Sequence, residues 1–258
     1  MNQEVIVFLP AYNEEETIEK VIKKVPRHFH NHVEVKVMVV NDGSTDGTVR
    51  AAKEAGADII VDHHGNKGLG AAVRTGLKEA YRRGADIAVM IDADDEYPAR
   101  QIPDLLAPIF AGNADYTMGS RFKGTIKGMK LHRRLGNYVF TLLQSILLRR
   151  WIYDGQSGMR AFTRQVMEHA EIIHDYNYAQ VLTLNIVRKG FRVKEVPIHY
   201  KARTTGDSFI TFSGYLGSVL PAIMKEMSRP VKRIQVEEDA HKISLSGNPD
   251  RDNTAVNS

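Results

Sequence analysis

Apolar residues recur along the first half of the chain in short β-branched runs, separated by stretches with helical spacing. Val5–Leu9 reads as a strand, and Asn13 then reads as a helix N-cap, with Glu16 three residues on completing a capping box. Val35–Val40 reads as a buried strand closed by the turn Asn41-Asp42-Gly43-Ser44, with a helix following to about Ala55. Asp58–Val61 is a short strand, Ala71–Arg83 a helix, and Asp86–Ile91 a strand running into Asp92. Gln101–Phe110 is helical and Tyr116–Met118 strand-like. Strands alternating with helices imply right-handed βαβ units and a mainly parallel sheet, an α/β fold. Ligands of such sheets bind beyond the carboxyl ends of the strands. The polar clusters Pro10–Glu14, Asn41–Asp46 and Asp92–Glu96 fall there.

The second half has a different texture. Leu131–Trp151 reads as one long amphipathic helix with an apolar middle, Gly158–Phe162 as a strand, and Tyr178–Lys189 as a helix. Phe191–Tyr200 alternates like a strand, and Tyr215–Met227 is a last helix kinked or restarted at Pro221. Beyond Arg229 the chain turns polar and charge-balanced. The expected organisation is one α/β domain over 1–228, with helices at 131–152 and 213–227 as candidate membrane-interface elements, and a disordered polar tail over 229–258.

Composition sharpens this picture in three places. There is no cysteine, which excludes disulfides, a thiolate nucleophile and Cys-ligated zinc. No signal peptide reads from the amino end, and the longest apolar runs are about half the roughly 20 residues a membrane-spanning helix needs, so the chain is expected not to span a bilayer. The net charge is only +4, yet from Tyr116 to Trp151 there is no Asp or Glu, while Arg121, Lys123, Lys127, Lys130, Arg133, Arg134, Arg149 and Arg150 all fall in that stretch. Such a surface is expected to meet something anionic. Leu and Ile rather than aromatic platforms lie between the cations, which argues against nucleic acid.

The strongest chemical signal is Asp92-Ala93-Asp94-Asp95-Glu96 at the end of an apolar strand. Carboxylates suit Mg2+ or Mn2+. Alternate residues of an extended segment point the same way, so Asp92, Asp94 and Glu96 are expected to converge on one ion and its diphosphate. A solvated acidic turn is the bland alternative. Asp42, after another buried strand, can accept hydrogen bonds from a base N–H or a ribose, or serve only as a turn and cap residue. Asn66-Lys67-Gly68-Leu69-Gly70 opens a helix with free N–H groups and a cation, which suits a phosphate. It is neither a Walker A loop nor a full dinucleotide fingerprint, since Val73 stands where the third glycine belongs. His63 and His64 read as ordinary surface residues.

Taken in order, Leu9–Glu14, Asn41–Ser44, Asn66–Gly68, Asp92–Asp94, Gly119-Ser120-Arg121-Phe122, Asp154-Gly155-Gln156-Ser157-Gly158 and Arg203–Ser208 resemble family 2 glycosyltransferases of the GT-A fold, and among these the dolichyl-phosphate mannose, glucose and N-acetylglucosamine synthases. The likeness spans roughly residues 5 to 210. It implies that Pro10, Tyr12, Glu14, Asp42 and Lys67 hold the nucleotide, and that Asp92 and Asp94 hold metal and diphosphate. Glu96 stands where mannose-synthase-like members often carry Gln. Arg121 is implied as an acceptor-phosphate contact, joined by Arg133, Arg134 and Asn137, and Arg203 as a mobile-loop cation near the donor diphosphate. Asp154 is expected to orient the sugar or an arginine, or to serve only as a structural turn residue.

The resemblance further implies metal-dependent inverting transfer of a hexose from a nucleotide-sugar, a UDP-sugar in preference to GDP-mannose, to polyprenyl or dolichyl phosphate. The enzyme is expected to sit peripherally on the cytoplasmic face of a membrane. Three alternatives stay open: a soluble transferase with a hydroxyl acceptor and Asp154 as base, a non-catalytic nucleotide-sugar binder, and a nicotinamide-dependent oxidoreductase. The broken fingerprint and the acidic cluster speak against the last.

Overall fold

The computed structural model describes residues 3–28, 33–175, 178–202 and 212–235. β1 (Gln3–Ala11), β2 (Val33–Asn41), β3 (Ile59–Asp62), β4 (Ile87–Ile91), β5 (Tyr116–Lys127), β6 (Met159–Thr163) and β7 (Val193–Lys201) form one sheet in the order β3-β2-β1-β4-β6-β5-β7. The pairs β1–β2, β1–β4, β2–β3 and β5–β7 are parallel, and β6 runs antiparallel to both its neighbours. The expected mainly parallel α/β sheet is what the chain forms.

Helices cover both faces, which is why the central strands are continuous apolar runs rather than alternating ones. Val5, Val7 and Leu9 of β1 pack with α1 (Ile18–Lys24), α2 (Thr48–Glu54) and α4 (Ile102–Phe110), the last entered through a 3-10 turn at Ala99–Gln101. Ile6 and Phe8 point the other way, into α3 (Leu69–Arg82), α6 (Arg164–His169) and α7 (Ala179–Arg188). A third, smaller cluster of Phe140, Leu184 and Ile223 joins α5 (Leu131–Leu148) and α8 (Phe212–Ser228) to α7. Buried α7 therefore separates the sheet from an outer helical layer.

Several expected elements shift for identifiable reasons. Asn13 is not a helix cap: it adopts φ 55°, its Oδ1 accepts from the Thr45 N–H, and α1 begins only at Ile18. Tertiary partners win over the local capping box, because the β1–α1 segment is tied to the β2–α2 turn by Asn13 N–H to Ser44 Oγ, Glu14 N–H to Thr48 Oγ1 and Gly47 N–H to Glu15 Oε2. β5 is twelve residues long, not three. Its register against β7 jumps between Ser120 and Thr125, opposite Pro197, whose missing N–H cannot continue the ladder. α5 stops at Leu148 rather than Trp151, because Ser145 Oγ accepts the Ile152 N–H and Arg149 takes a left-handed φ of 49°. α6 was not foreseen. The tail does not leave the fold at Arg229: Ile234 packs on the α3–α7 cluster and donates its N–H to Lys189 O, and Arg229 pairs with Glu171 and Glu226.

Candidate active site

β1 is flanked by β2 on one side and β4 on the other, so the chain reverses its direction of winding between β1 and β4. A crevice opens at the carboxyl ends of the strands at such a switch point. Here the β1–β4 ladder ends at Phe8↔Met90, while β1 continues beside β2 to Ala11. Pro10 sits in the unpaired part, where its lack of an N–H costs no ladder bond. Pro10 and Tyr12, with Glu14, line one lip, and Tyr12 is exposed.

Asp42 forms the floor beside β2 and is buried. One carboxylate oxygen accepts from the Lys67 N–H at 3.0 Å and lies 2.7 Å from His63 Nδ1; the other accepts from the Gly68 N–H at 2.8 Å. The expectation that His63 is a surface residue is wrong. Its ring is buried, with Nε2 2.9 Å from Thr75 Oγ1, whereas His64 is exposed. Lys67 contributes its backbone here and leaves its side chain exposed.

The opposite lip is the Asp92–Glu96 turn. The expected extended geometry is absent: Asp95 takes φ 59°, Lys24 clamps it at 2.6 Å, and Asp94 Oδ1 accepts the Glu96 N–H. Turning the backbone directs Glu96 inward, where it accepts from the Tyr200 hydroxyl at 2.5 Å and lies 3.7 Å from Arg133. Asp92, Asp94 and Glu96 therefore do not converge, and among the described residues no three His or carboxylate side chains surround one point. Asp92 and Asp94 remain as a pair. Burial, then the charges of Asp94 and Glu96, pushes the Asp92 carboxyl well above its ordinary range, against the opposing pull of Arg160 and Arg121. Two hard oxygen donors, one of them the Asp92 carboxyl whose ionised form is disfavoured, fit a divalent cation, which would relieve the repulsion.

Arg121 is turned inward rather than offered to an acceptor. Its Nε and Nη2 donate to the two oxygens of fully buried Asp154, each at 2.7 Å, and its guanidinium lies 5.4 Å from the Tyr200 ring centre. Burial alone would lower its pKa; Tyr97 and Asp154 outweigh that and raise it, so the group stays charged. Asp154 thus orients an arginine. Arg133 and Arg134 are exposed on the first turn of α5, and Arg134 stacks against Tyr138. Asn137 is buried against Met129. Arg203 lies outside the described residues.

The residues that sequence reasoning missed hold this frame together. Arg160 is fully buried and donates to Ser157 O at 2.8 Å, Gly155 O at 3.0 Å and Thr183 Oγ1 at 2.9 Å, pinning the Asp154–Gly158 loop. Glu195 accepts the N–H groups of Tyr153 and Asp154. A charged residue inside the apolar run Met159-Arg160-Ala161-Phe162 was the one available signal.

A family profile described as "Glycosyl transferase family 2" matches residues 6–170. A UDP-N-acetylglucosamine–dolichyl-phosphate N-acetylglucosaminyltransferase of Methanococcus voltae is 35% identical over 182 residues, covering 64% of this chain and 71% of that one. A polyprenol monophosphomannose synthase of Mycolicibacterium smegmatis is 34% identical over 217 residues, covering 80% of each. Among solved structures, glucosyl-3-phosphoglycerate synthase from Mycobacterium tuberculosis, in complex with Mn2+, UDP-glucose and phosphoglyceric acid, superposes with a TM-score of 0.71 at 21% identity, covering 88% of this chain and 81% of that one. That likeness speaks to the fold.

Proposed function

The chain belongs to glycosyl transferase family 2 and is a glycosyltransferase, and from that premise we propose that it moves a hexose from a nucleotide-sugar to a polyprenyl or dolichyl phosphate at a membrane surface. The observation that carries this reading is the position of α5. Its outer face exposes Leu131, Leu135, Val139, Leu142 and Ile146, and cations stand at both ends. Its Arg133 reaches Glu96 of the acidic turn. A helix suited to the headgroup region thereby adjoins the candidate donor site. The Methanococcus voltae relative's name specifies dolichyl phosphate, and the Mycolicibacterium smegmatis relative's name a polyprenol monophosphomannose. Among the described residues no helix is long and apolar enough to cross a membrane. The proposed association is peripheral, on the cytoplasmic face, through α5 and α8.

In the proposed reaction an acceptor phosphate oxygen attacks the anomeric carbon, the bond from that carbon to the nucleoside diphosphate breaks, and configuration inverts. A phosphate monoester has a second pKa near 6, so it arrives anionic and needs no general base. Arg133 and Arg134 orient it, while Arg121 and Asp154 brace the wall behind. Asp42, Tyr12 and Glu14 hold the nucleoside, and Arg203 steadies the departing diphosphate. Asp92 and Asp94 would hold Mg2+ or Mn2+, which supplies positive charge to the leaving group when bound. Asp154 gives its oxygens to Arg121 and is fully buried, which argues against a role as base for a hydroxyl acceptor.

The donor is proposed to be a UDP-sugar rather than GDP-mannose, in keeping with the Methanococcus voltae relative's name. Thermal-shift measurement with Mn2+ and UDP or GDP decides, since a ligand of the native state raises the melting point. Activity is tested with labelled nucleotide-sugar and liposomes containing polyprenyl phosphate. Label should enter lipid with the native chain and stay soluble with Asp94→Ala. Turnover by Asp94→Ala would discard the metal assignment, and equal transfer to a soluble alcohol would discard the acceptor.

A further inference from the structure

We propose that His63 is a positioning residue that fixes the Asp42 carboxylate in the nucleoside pocket, and so sets donor affinity rather than the rate of transfer. The inference rests on the reading of Asp42 as a nucleoside contact. Register places the two side by side: β2 and β3 pair Asn41 with Asp62, and Asp42 and His63 are the next residues on each strand. His63 donates its own N–H to Asn41 O at 2.9 Å, which locks the backbone there. One neutral tautomer then satisfies the ring completely. Nδ1–H donates to Asp42 Oδ1 at 2.7 Å, and Nε2 accepts from Thr75 Oγ1 on α3 at 2.9 Å.

The other donors to Asp42 that the structure shows are the N–H groups of Lys67 and Gly68, which belong to one loop. Those two N–H groups reach the carboxylate from the start of α3, whose N-cap is Gly68, and bind its two oxygens from one side. The imidazole adds a third donor from the end of β3, and Thr75 on the second turn of α3 fixes the direction of its ring. Both side chains are buried, at 7% and 4% exposure, so water cannot replace the bond if the ring is removed.

The test uses the full chain with Mn2+ and UDP or GDP, measured by calorimetry and by steady-state kinetics. His63→Leu should raise the nucleotide Kd and the donor KM about tenfold, with kcat within about twofold. His63→Asn, which keeps a donor near the Nδ1 position, should stay within about threefold of the native Kd. His63→Leu combined with Asp42→Asn should bind no more weakly than Asp42→Asn alone. A His63→Leu protein with lowered kcat or melting point but native affinity overturns the inference, as do additive effects in the double variant. If Asp42→Asn itself leaves affinity unchanged, the nucleoside reading of Asp42 falls and takes this inference with it. If Asp42→Asn weakens binding and His63→Leu does not, only the inference falls. Should His63→Leu fail to fold, Thr75→Val carries the test: the nucleotide Kd should rise about threefold at constant kcat, and an unchanged Kd overturns the proposal.

Discussion

Asp92 follows five fully buried residues of β4, and its N–H donates to Gly158 O across the β4–β6 ladder. Its carboxyl pKa is raised in the folded chain, first by burial and then by Asp94 and Glu96. The folded state therefore binds this proton more tightly than the unfolded one. Its stabilising contribution is complete below about pH 4 and is lost as pH rises through the folded value. In metal-free protein, Asp92→Asn should melt higher than the native chain, by a margin that widens with pH, while transfer is abolished. A margin that shrinks with pH would contradict the assignment. Gly158 gives a second handle, since a Cβ there would stand 1.7 Å from Asp92 Oδ2. Gly158→Ala should keep the fold and lower kcat about a hundredfold, the scale expected when a reacting group is displaced by an ångström. The sequence placed Asp42 and Asp92 directly after buried strands, and the structure has them there, beyond β2 and β4. The contacts of His63, Tyr200 and Arg160 were not legible in the sequence, because they form only once the chain has folded, as with Tyr200 and Glu96, 104 residues apart.

At the scale of elements, the parallel βαβ half was readable because its apolar runs are dense and its turns are marked. β5 was underestimated because Gly119, Lys123, Gly124 and Lys127 dilute the strand pattern that β7 supports from outside. α5 was readable except for its last turn, but amphipathicity alone does not say which apolar face is covered. The structure buries Phe140 against α7 and leaves Leu135 and Ile146 each 64% exposed. The double variant Leu135→Glu, Ile146→Glu should therefore alter stability by no more than about 0.5 kcal/mol per site. In flotation with anionic liposomes it should remain at the bottom of the gradient where the native protein rises. Flotation equal to native would remove α5 from the membrane contact.

For the molecule as a whole, the boundary expected at residue 229 comes several residues too early. Ile234 caps the α3–α7 cluster and Arg229 bridges Glu171 and Glu226, so a chain ending at Ser228 should lose about 1–3 kcal/mol in denaturant unfolding. One ending at Gln235 keeps those contacts. The strand that runs against the others has a consequence for where machinery can be mounted. A wholly parallel sheet reaches its working edge only where strands finish, so each strand delivers one loop there. β6 begins at that edge, and the segment entering it arrives beside the segment leaving β4. Two stretches of chain that are remote in sequence thus face each other across a single ladder bond, and a change on one side is felt on the other without any moving part between them.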